Sequence, residues 1–314
     1  MALRSKAGEE RASSHTRERP RLEPGALVDG RYQIVGALGE GGIGTVLVAE
    51  HVELRRRVAL KVLQDPIGDD PTMRKRFERE ARTLAAMQHP HIVAIIDYGI
   101  WSGMPYLVME LLEGRTLGDL LHEEGSLPQA RALAIAHQML RALGNAHSQG
   151  VIHRDLKPAN VFLQALPDQQ DHVKLLDFGF AKFFGSAVSS MVTGDGMVVG
   201  TPSYMAPEQA TSGPLDQRVD VYAAGTVIFE MLAGRRPFEG QGLEVIRHRL
   251  VADPPALSAV RPDLGVSPEL DEALSRALAR KVEDRWPAIA ELMAALARVP
   301  ESAKVIVPIH SEPP

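Results

Sequence analysis

The sequence predicts an α+β fold in two parts, a small β-rich lobe followed by a larger helical lobe. Three observations predict it. Up to about residue 110 the apolar residues fall in short runs of strand length, such as Val58-Ala59-Leu60-Lys61-Val62-Leu63. Beyond Leu117 they belong to longer segments that read as helices. A glycine cluster from Gly39 to Gly44 separates the first two strand runs.

Each element follows in order. Tyr32-Gln33-Ile34-Val35 reads as the first strand, 45–49 as the second and 58–63 as the third. Residues 73–87 are rich in charge and alanine, and Phe77, Leu84 and Met87 are spaced for one helical face. Residues 92–98 and 106–109 are two further strands. Helices are expected over 117–123, 128–149, 216–233, 243–250, 268–280 and 287–298. Pro128 and Pro268 stand where a first helical turn tolerates proline. Residues 1–28 are rich in Arg, Glu and Ser without apolar periodicity and read as a disordered arm. Residues 300–314, with Pro308, Pro313 and Pro314, read as a tail. The globular part, 29–299, divides into an N-lobe at 29–110 and a C-lobe at 111–299, with no internal repeat.

Composition narrows the function classes. A hydrophobic fraction of 45% and a charged fraction of 24% are those of a soluble globular chain. A net charge of −5 gives no general attraction to nucleic acid or anionic membrane, so no nucleic-acid partner is expected. The absence of cysteine removes disulfides, thiolate metal sites and cysteine nucleophiles, and suits a reducing compartment. Residues 1–20 lack the apolar core of a secretory leader. No run reaches the ~18 apolar residues of a spanning helix. A cytoplasmic protein without a membrane segment of its own is expected.

The run His153-Arg154-Asp155-Leu156-Lys157-Pro158-Ala159-Asn160, followed by Asp177-Phe178-Gly179, carries the chemistry. It supplies a potential base, cations and two oxygen ligands, the set that phosphoryl transfer requires for positioning and charge neutralisation. Asp155 can orient an attacking hydroxyl or accept its proton, and Lys157 can offset charge on the transferred group. Asn160 and Asp177 offer one neutral and one charged oxygen to a hard cation. His153 reads as a residue that holds the loop. Taken singly, Asp155 could form a turn and Asn160 could cap one. Gly39-Glu40-Gly41-Gly42-Ile43-Gly44-Thr45-Val46 fits G-x-G-x-x-G-x-V between two strands. Its glycines would let backbone amides approach phosphate oxygens, although a glycine-rich hairpin turn has the same signature. Lys61 ends an apolar strand and could neutralise phosphate. Glu80 in the next helix is its best partner, with Glu78 an ordinary alternative and two solvated side chains the plainer reading.

Together with Gly200-Thr201-Pro202-Ser203-Tyr204-Met205-Ala206-Pro207-Glu208, these residues resemble the eukaryotic-like protein kinases, and within them the bacterial serine/threonine kinases. The resemblance covers residues 32–299 and implies the two-lobed protein kinase fold. It implies that Gly39, Gly41 and Gly44, with Glu40, Gly42 and Ile43 between them, cover the phosphates of ATP. It implies that Lys61 holds those phosphates and pairs with Glu80. Glu110 to Leu112 would form the adenine hinge, walled by Leu38, Val46, Ala59, Met109 and Phe162. Asp155 would be the catalytic base, with Asn160 and Asp177 as ligands of Mg2+, or of Mn2+ in its place. Glu208 would pair with Arg285, and Asp220 would anchor the catalytic loop. Arg154 implies control by a phosphate on the activation segment, at Thr193, with Asp195 a built-in charge or simply part of a turn; Thr201 would face Asp155 and Lys157. The implied activity is a non-specific serine/threonine protein kinase that uses ATP on protein Ser/Thr hydroxyls and autophosphorylates its activation loop. A homodimer through the small lobe is an assembly the resemblance allows. Two other classes compete. A pseudokinase would keep the fold without turnover, yet Lys61, Asp155, Asn160 and Asp177 are all present. A small-molecule phosphotransferase is opposed by the intact 200–208 segment.

Overall fold

The computed structural model describes residues 22–41, 44–64, 67, 70–167, 169–178, 202–211, 214–240 and 242–300. The upper lobe is a six-stranded antiparallel sheet in the order β1-β2-β3-β4-β6-β5, built from β1 (Leu27–Val28), β2 (Tyr32–Gly41), β3 (Gly44–His51), β4 (Arg56–Leu63), β5 (Ile95–Trp101) and β6 (Met104–Glu110). Helix α1 (Pro71–Ala86) lies between β4 and β5, capped by Asp70, whose carboxylate accepts from the amides of Thr72 and Met73. It buries Phe77, Ala81 and Leu84, the stripe expected from its spacing.

The lower lobe is helical. Helices α2 (Leu117–Glu124), α3 (Gln129–Ser148), α4 (Arg218–Ala233), α5 (Gly242–Val251), α6 (Leu257–Val260), α7 (Pro268–Ala277) and α8 (Ile289–Ala297) follow in sequence. Helix α4 is buried along nearly its whole length, as a helix apolar all round must be. A continuous core runs from α3 and α4 up to Phe77 and Leu84 beneath the upper sheet. A second cluster, including Ile34, Leu47, Leu60 and Tyr106, fills the other face of that sheet.

Several expectations shift. Residues 22–28, assigned to the leading arm, belong to the upper lobe: Leu22 and Ala26 pack on its core, Val28 is fully buried, and β1 pairs with β2. The strand expected from Ile92 starts at Ile95, because residues 91–93 bond instead to the lower lobe, Val93 N–H to Leu175 O and Leu175 N–H to His91 O. A second sheet was not expected at all. It consists of β7 (Gly114–Thr116), β8 (Val161–Leu166) and β9 (Gln169–Leu175), in that order. Helix α7 stops at Ala277 rather than at Arg280, because the carbonyls of Ala279 and Arg280 turn to accept from the Arg285 guanidinium. Helix α4 starts at Arg218, where the Asp216 carboxylate accepts from its amide at 2.8 Å. Among the described residues no helix is long and apolar enough to cross a membrane.

Candidate active site

The second sheet and the loop before it build one wall of a cleft below the upper sheet. Residues 151–157 leave α3 as an irregular loop, and a short turn over Pro158–Asn160 leads into β8. Asp220, fully buried on α4, holds that loop from below. Its carboxylate accepts from the backbone amides of His153 and Arg154 at 2.8 Å each and from His147 Nε2 at 2.7 Å. Three donors satisfy a buried charge that would otherwise be costly. His153 is itself fully buried, with Nε2 2.9 Å from Leu176 O and its ring 4.6 Å from that of Phe178.

This loop presents Asp155. Lys157 Nζ donates to Asp155 Oδ2 at 2.8 Å, and Asn160 Nδ2 donates to Asp155 O at 2.7 Å and to Oδ2 at 3.2 Å. The amide nitrogen of Asn160 is thereby committed inward, which leaves its Oδ1, a hard neutral oxygen, for another partner. Leu176 joins the two segments: its amide donates to Asn160 O at 2.9 Å, and its carbonyl is the His153 acceptor. Asp177 comes next and adopts a left-handed backbone with φ 59°, as does Arg154 with φ 67°. Non-glycine residues held in that region carry strain of order 1–3 kcal/mol and persist where the surroundings enforce them.

The upper lobe contributes Lys61, at the buried end of β4 and only 4% exposed. Its expected partner was Glu80, and this is corrected. Lys61 Nζ lies 2.6 Å from Asp177 Oδ1, whereas Glu80, on the flank of α1, lies 3.4 Å from its exposed neighbour Arg79. A buried ammonium needs a carboxylate, and the bonds of Leu176 bring Asp177 within reach. The buried stripe of α1 meanwhile leaves Glu80 partly open to solvent.

Among the remaining candidates, Met109 lines a pocket with Asp177 and Phe178. Ala59 pairs with Met109 across β4 and β6, and Val46 faces Lys61 across β3 and β4. Leu38 is exposed on β2. Phe162 sits on β8 between Thr116 and Lys174. Leu112 follows Glu110 in the connector to β7, half-buried. Glu40 and Gly41 end β2. A Cβ at Gly39 would meet nothing within 4 Å, so space lies open against that backbone. A Cβ at Gly44 would collide with the carbonyl oxygen of Val62, so the sheet itself requires that glycine. Gly42, Ile43, Thr193 and Thr201 lie outside the described residues.

Below the site, Glu208 and Arg285 form a two-pronged pair with both contacts at 2.7 Å, Arg285 being 1% exposed. Gln209 Nε2 donates to Arg154 O at 2.9 Å, tying the segment after residue 202 to the 151–157 loop. Tyr204 donates to Glu230 at 2.7 Å, and burial raises the pKa of the Glu230 carboxyl. Sequence reasoning missed His147 and Gln209 as supports, and no spacing signal connects either to its partner. It also missed the side chain of Glu110, which accepts from Ala94 N–H at 2.8 Å and Lys174 Nζ at 2.7 Å.

A two-lobed fold with an acid–lysine–amide cluster in the cleft and a carboxylate facing a strand lysine is the arrangement of the protein kinase fold. Residues 32–295 match the family model described as "Protein kinase domain", and the chain belongs to that family. It is 39% identical to "Serine/threonine-protein kinase PknB" of Mycobacterium leprae over 88% of this chain and 45% of that protein. It is 37% identical to "Serine/threonine-protein kinase pkn3" of Myxococcus xanthus over 85% of this chain and 49% of that protein. The chain thus spans about half the length of the curated relatives it matches. The crystal structure of the Mycobacterium tuberculosis PknI kinase domain superposes with a TM-score of 0.68 at 31% identity, covering 88% of this chain and 99% of that one. The structure of Rad53 1-466 in complex with AMP-PNP also superposes at 0.68, with 25% identity, 84% of this chain and 64% of that one.

Proposed function

We propose that this chain is a serine/threonine protein kinase that transfers the γ-phosphoryl group of ATP to protein hydroxyls. One observation carries the reading: Asp155, Lys157 and Asn160 form a single hydrogen-bonded cluster, and Leu176 ties Asp177 to it. Family membership and similarity to proteins named serine/threonine kinases support it.

Each residue takes a role from its surroundings. Asp155 orients the acceptor hydroxyl and takes its proton as the oxygen bonds to the γ-phosphorus, while the bond to the β–γ bridging oxygen breaks and ADP departs. Lys157, already on Asp155, offsets charge on the group in flight. Lys61, buried and cationic, addresses the α- and β-phosphates. Gly39 and Gly41 give the triphosphate room against the β2 backbone, and Leu38, Val46, Ala59, Met109 and Phe162 wall the base. The backbone of Glu110 to Leu112 holds the adenine edge. Asn160 Oδ1 and the Asp177 carboxylate suit magnesium in donor chemistry, and magnesium, when bound, supplies neutralisation of phosphate charge. Thr193 is the proposed regulatory phosphorylation position, reached by autophosphorylation. The folded kinase domain is assigned to residues 22–299.

The test is transfer from labelled ATP to a basic acceptor protein, followed by phosphoamino-acid analysis of wild type and Asp155→Asn. Label in phosphoserine or phosphothreonine with wild type, reduced roughly 100-fold or more by Asp155→Asn, is expected. Label in neither chain nor acceptor would turn the reading toward a binding module of kinase fold. Label confined to phosphotyrosine would refute the acceptor class.

A further inference from the structure

We infer that Glu110 and Lys174 are positioning residues: their ion pair fixes the distance between the adenine hinge and Asp177. The inference rests on the proposed kinase reading and deepens it. Glu110 is the last residue of β6, where the upper sheet runs into the connector between the lobes. One of its oxygens, Oε1, accepts both from Lys174 Nζ at 2.7 Å and from Ala94 N–H at 2.8 Å. Its own amide donates to Ala94 O at 3.0 Å, so residues 94 and 110 are bonded twice. On the far side, residues 91–93 are bonded to β9 through Val93 N–H to Leu175 O and Leu175 N–H to His91 O. His91 Nδ1 lies 3.1 Å from Val173 O and adds a third tie.

The end of β6, the loop before β5 and strand β9 therefore form a closed triangle, and the Glu110–Lys174 ion pair joins β6 directly to β9. The Lys174 and Glu110 side chains are 13% and 24% exposed, sheltered enough to resist screening by salt. Lys174 lies near the end of β9, and Asp177 follows three residues later, just past that strand. An adenine held by the Glu110–Leu112 backbone and a metal held by Asp177 are two ends of one ligand, and this triangle sets their separation. Misplacement by about 1 Å at such a site costs up to ~100-fold. Loosening one edge of three costs less.

The experiment measures kcat, KM for ATP and KM for the acceptor in wild type, Lys174→Met, Glu110→Gln, the double variant and Lys174→Arg. Glu110→Gln keeps an oxygen for Ala94 N–H and loses only the charge, so it decides the matter if Lys174→Met does not fold. Each single variant is expected to raise KM for ATP roughly fivefold, within the range by which coupled residues modulate a distant site. Acceptor KM should stay at the wild-type value, the double variant should be no worse than either single one, and Lys174→Arg should restore wild-type behaviour. Unchanged KM for ATP in the single variants, additive effects in the double, or a parallel rise in acceptor KM would overturn the inference. Asp177→Asn serves as the control for the underlying reading. If it retains wild-type dependence on Mg2+, the site assignment fails, whatever the Glu110 and Lys174 variants do.

Discussion

The two lobes treat their buried charges differently. In the lower lobe Asp220 has three donors, and Arg285 has the Glu208 carboxylate and the carbonyls of Ala279, Arg218 and Arg280. In the upper lobe the buried ammonium of Lys61 pairs with the carboxylate of Asp177, which belongs to the other lobe. The difference teaches where the molecule is a platform and where it can exchange partners. A charge held by several groups of one packed core resists rearrangement. A charge held by a single group across a cleft can trade that group for a ligand.

Substitutions that separate platform from cleft sharpen this contrast. The largest effect is expected for Asp220→Ala, which strands His147 and two backbone amides in the core. Unfolding in denaturant should show a loss of roughly 3–5 kcal/mol, the scale for removing one partner of a buried ionic set. A loss below 1 kcal/mol would mean that the lower lobe is no more fixed than the cleft. Lys61→Met should do the reverse. Methionine fills a similar volume, so the melting temperature should stay near wild type while kcat falls roughly 100- to 1000-fold. Arg285→Met follows, at about 2–3 kcal/mol of stability, because Glu208 is 14% exposed and regains some water. Glu80→Gln should change stability by less than about 0.5 kcal/mol, since its partner Arg79 is 74% exposed.

The smallest expected effect concerns protons at the junction between the lobes. Burial holds His89 and His91 below the ordinary value of 6.5, with Arg141 and Lys174 adding repulsion at His89 and His172, His89 and Arg141 at His91. Groups with depressed folded-state pKa values favour the neutral form, so their contribution is present above pH 6.5 and is lost as pH falls below it. Urea unfolding between pH 7.5 and 5.5 should show that slope, and replacing both histidines by asparagine should flatten it. An unchanged slope would remove the histidines from the account.

The order of lobes, the central helix and most element positions were legible because long periodic segments announce themselves. The second sheet was not. Strand β7 has three residues, β8 is an apolar run without alternation, and β9 is largely polar, so periodicity had little to act on. At the site, the proximity of Asp155, Lys157 and Asn160 follows from their closeness in the chain. The choice of Asp177 over Glu80 by Lys61 does not. It depends on how the bonds of Leu176 aim one carboxylate and how the packing of α1 leaves the other in solvent. Tertiary geometry gives Lys61 an acid other than the Glu80 that its sequence position suggested.

The central claim is that this cleft binds ATP with a metal on Asn160 and Asp177. A crystal structure with a non-hydrolysable ATP analogue and Mg2+ tests it most directly. The account predicts that Lys61 leaves Asp177 for the phosphates, and that Asn160 Oδ1 and the Asp177 carboxylate bind the ion. A triphosphate bound elsewhere, with Lys61 still on Asp177, would contradict it.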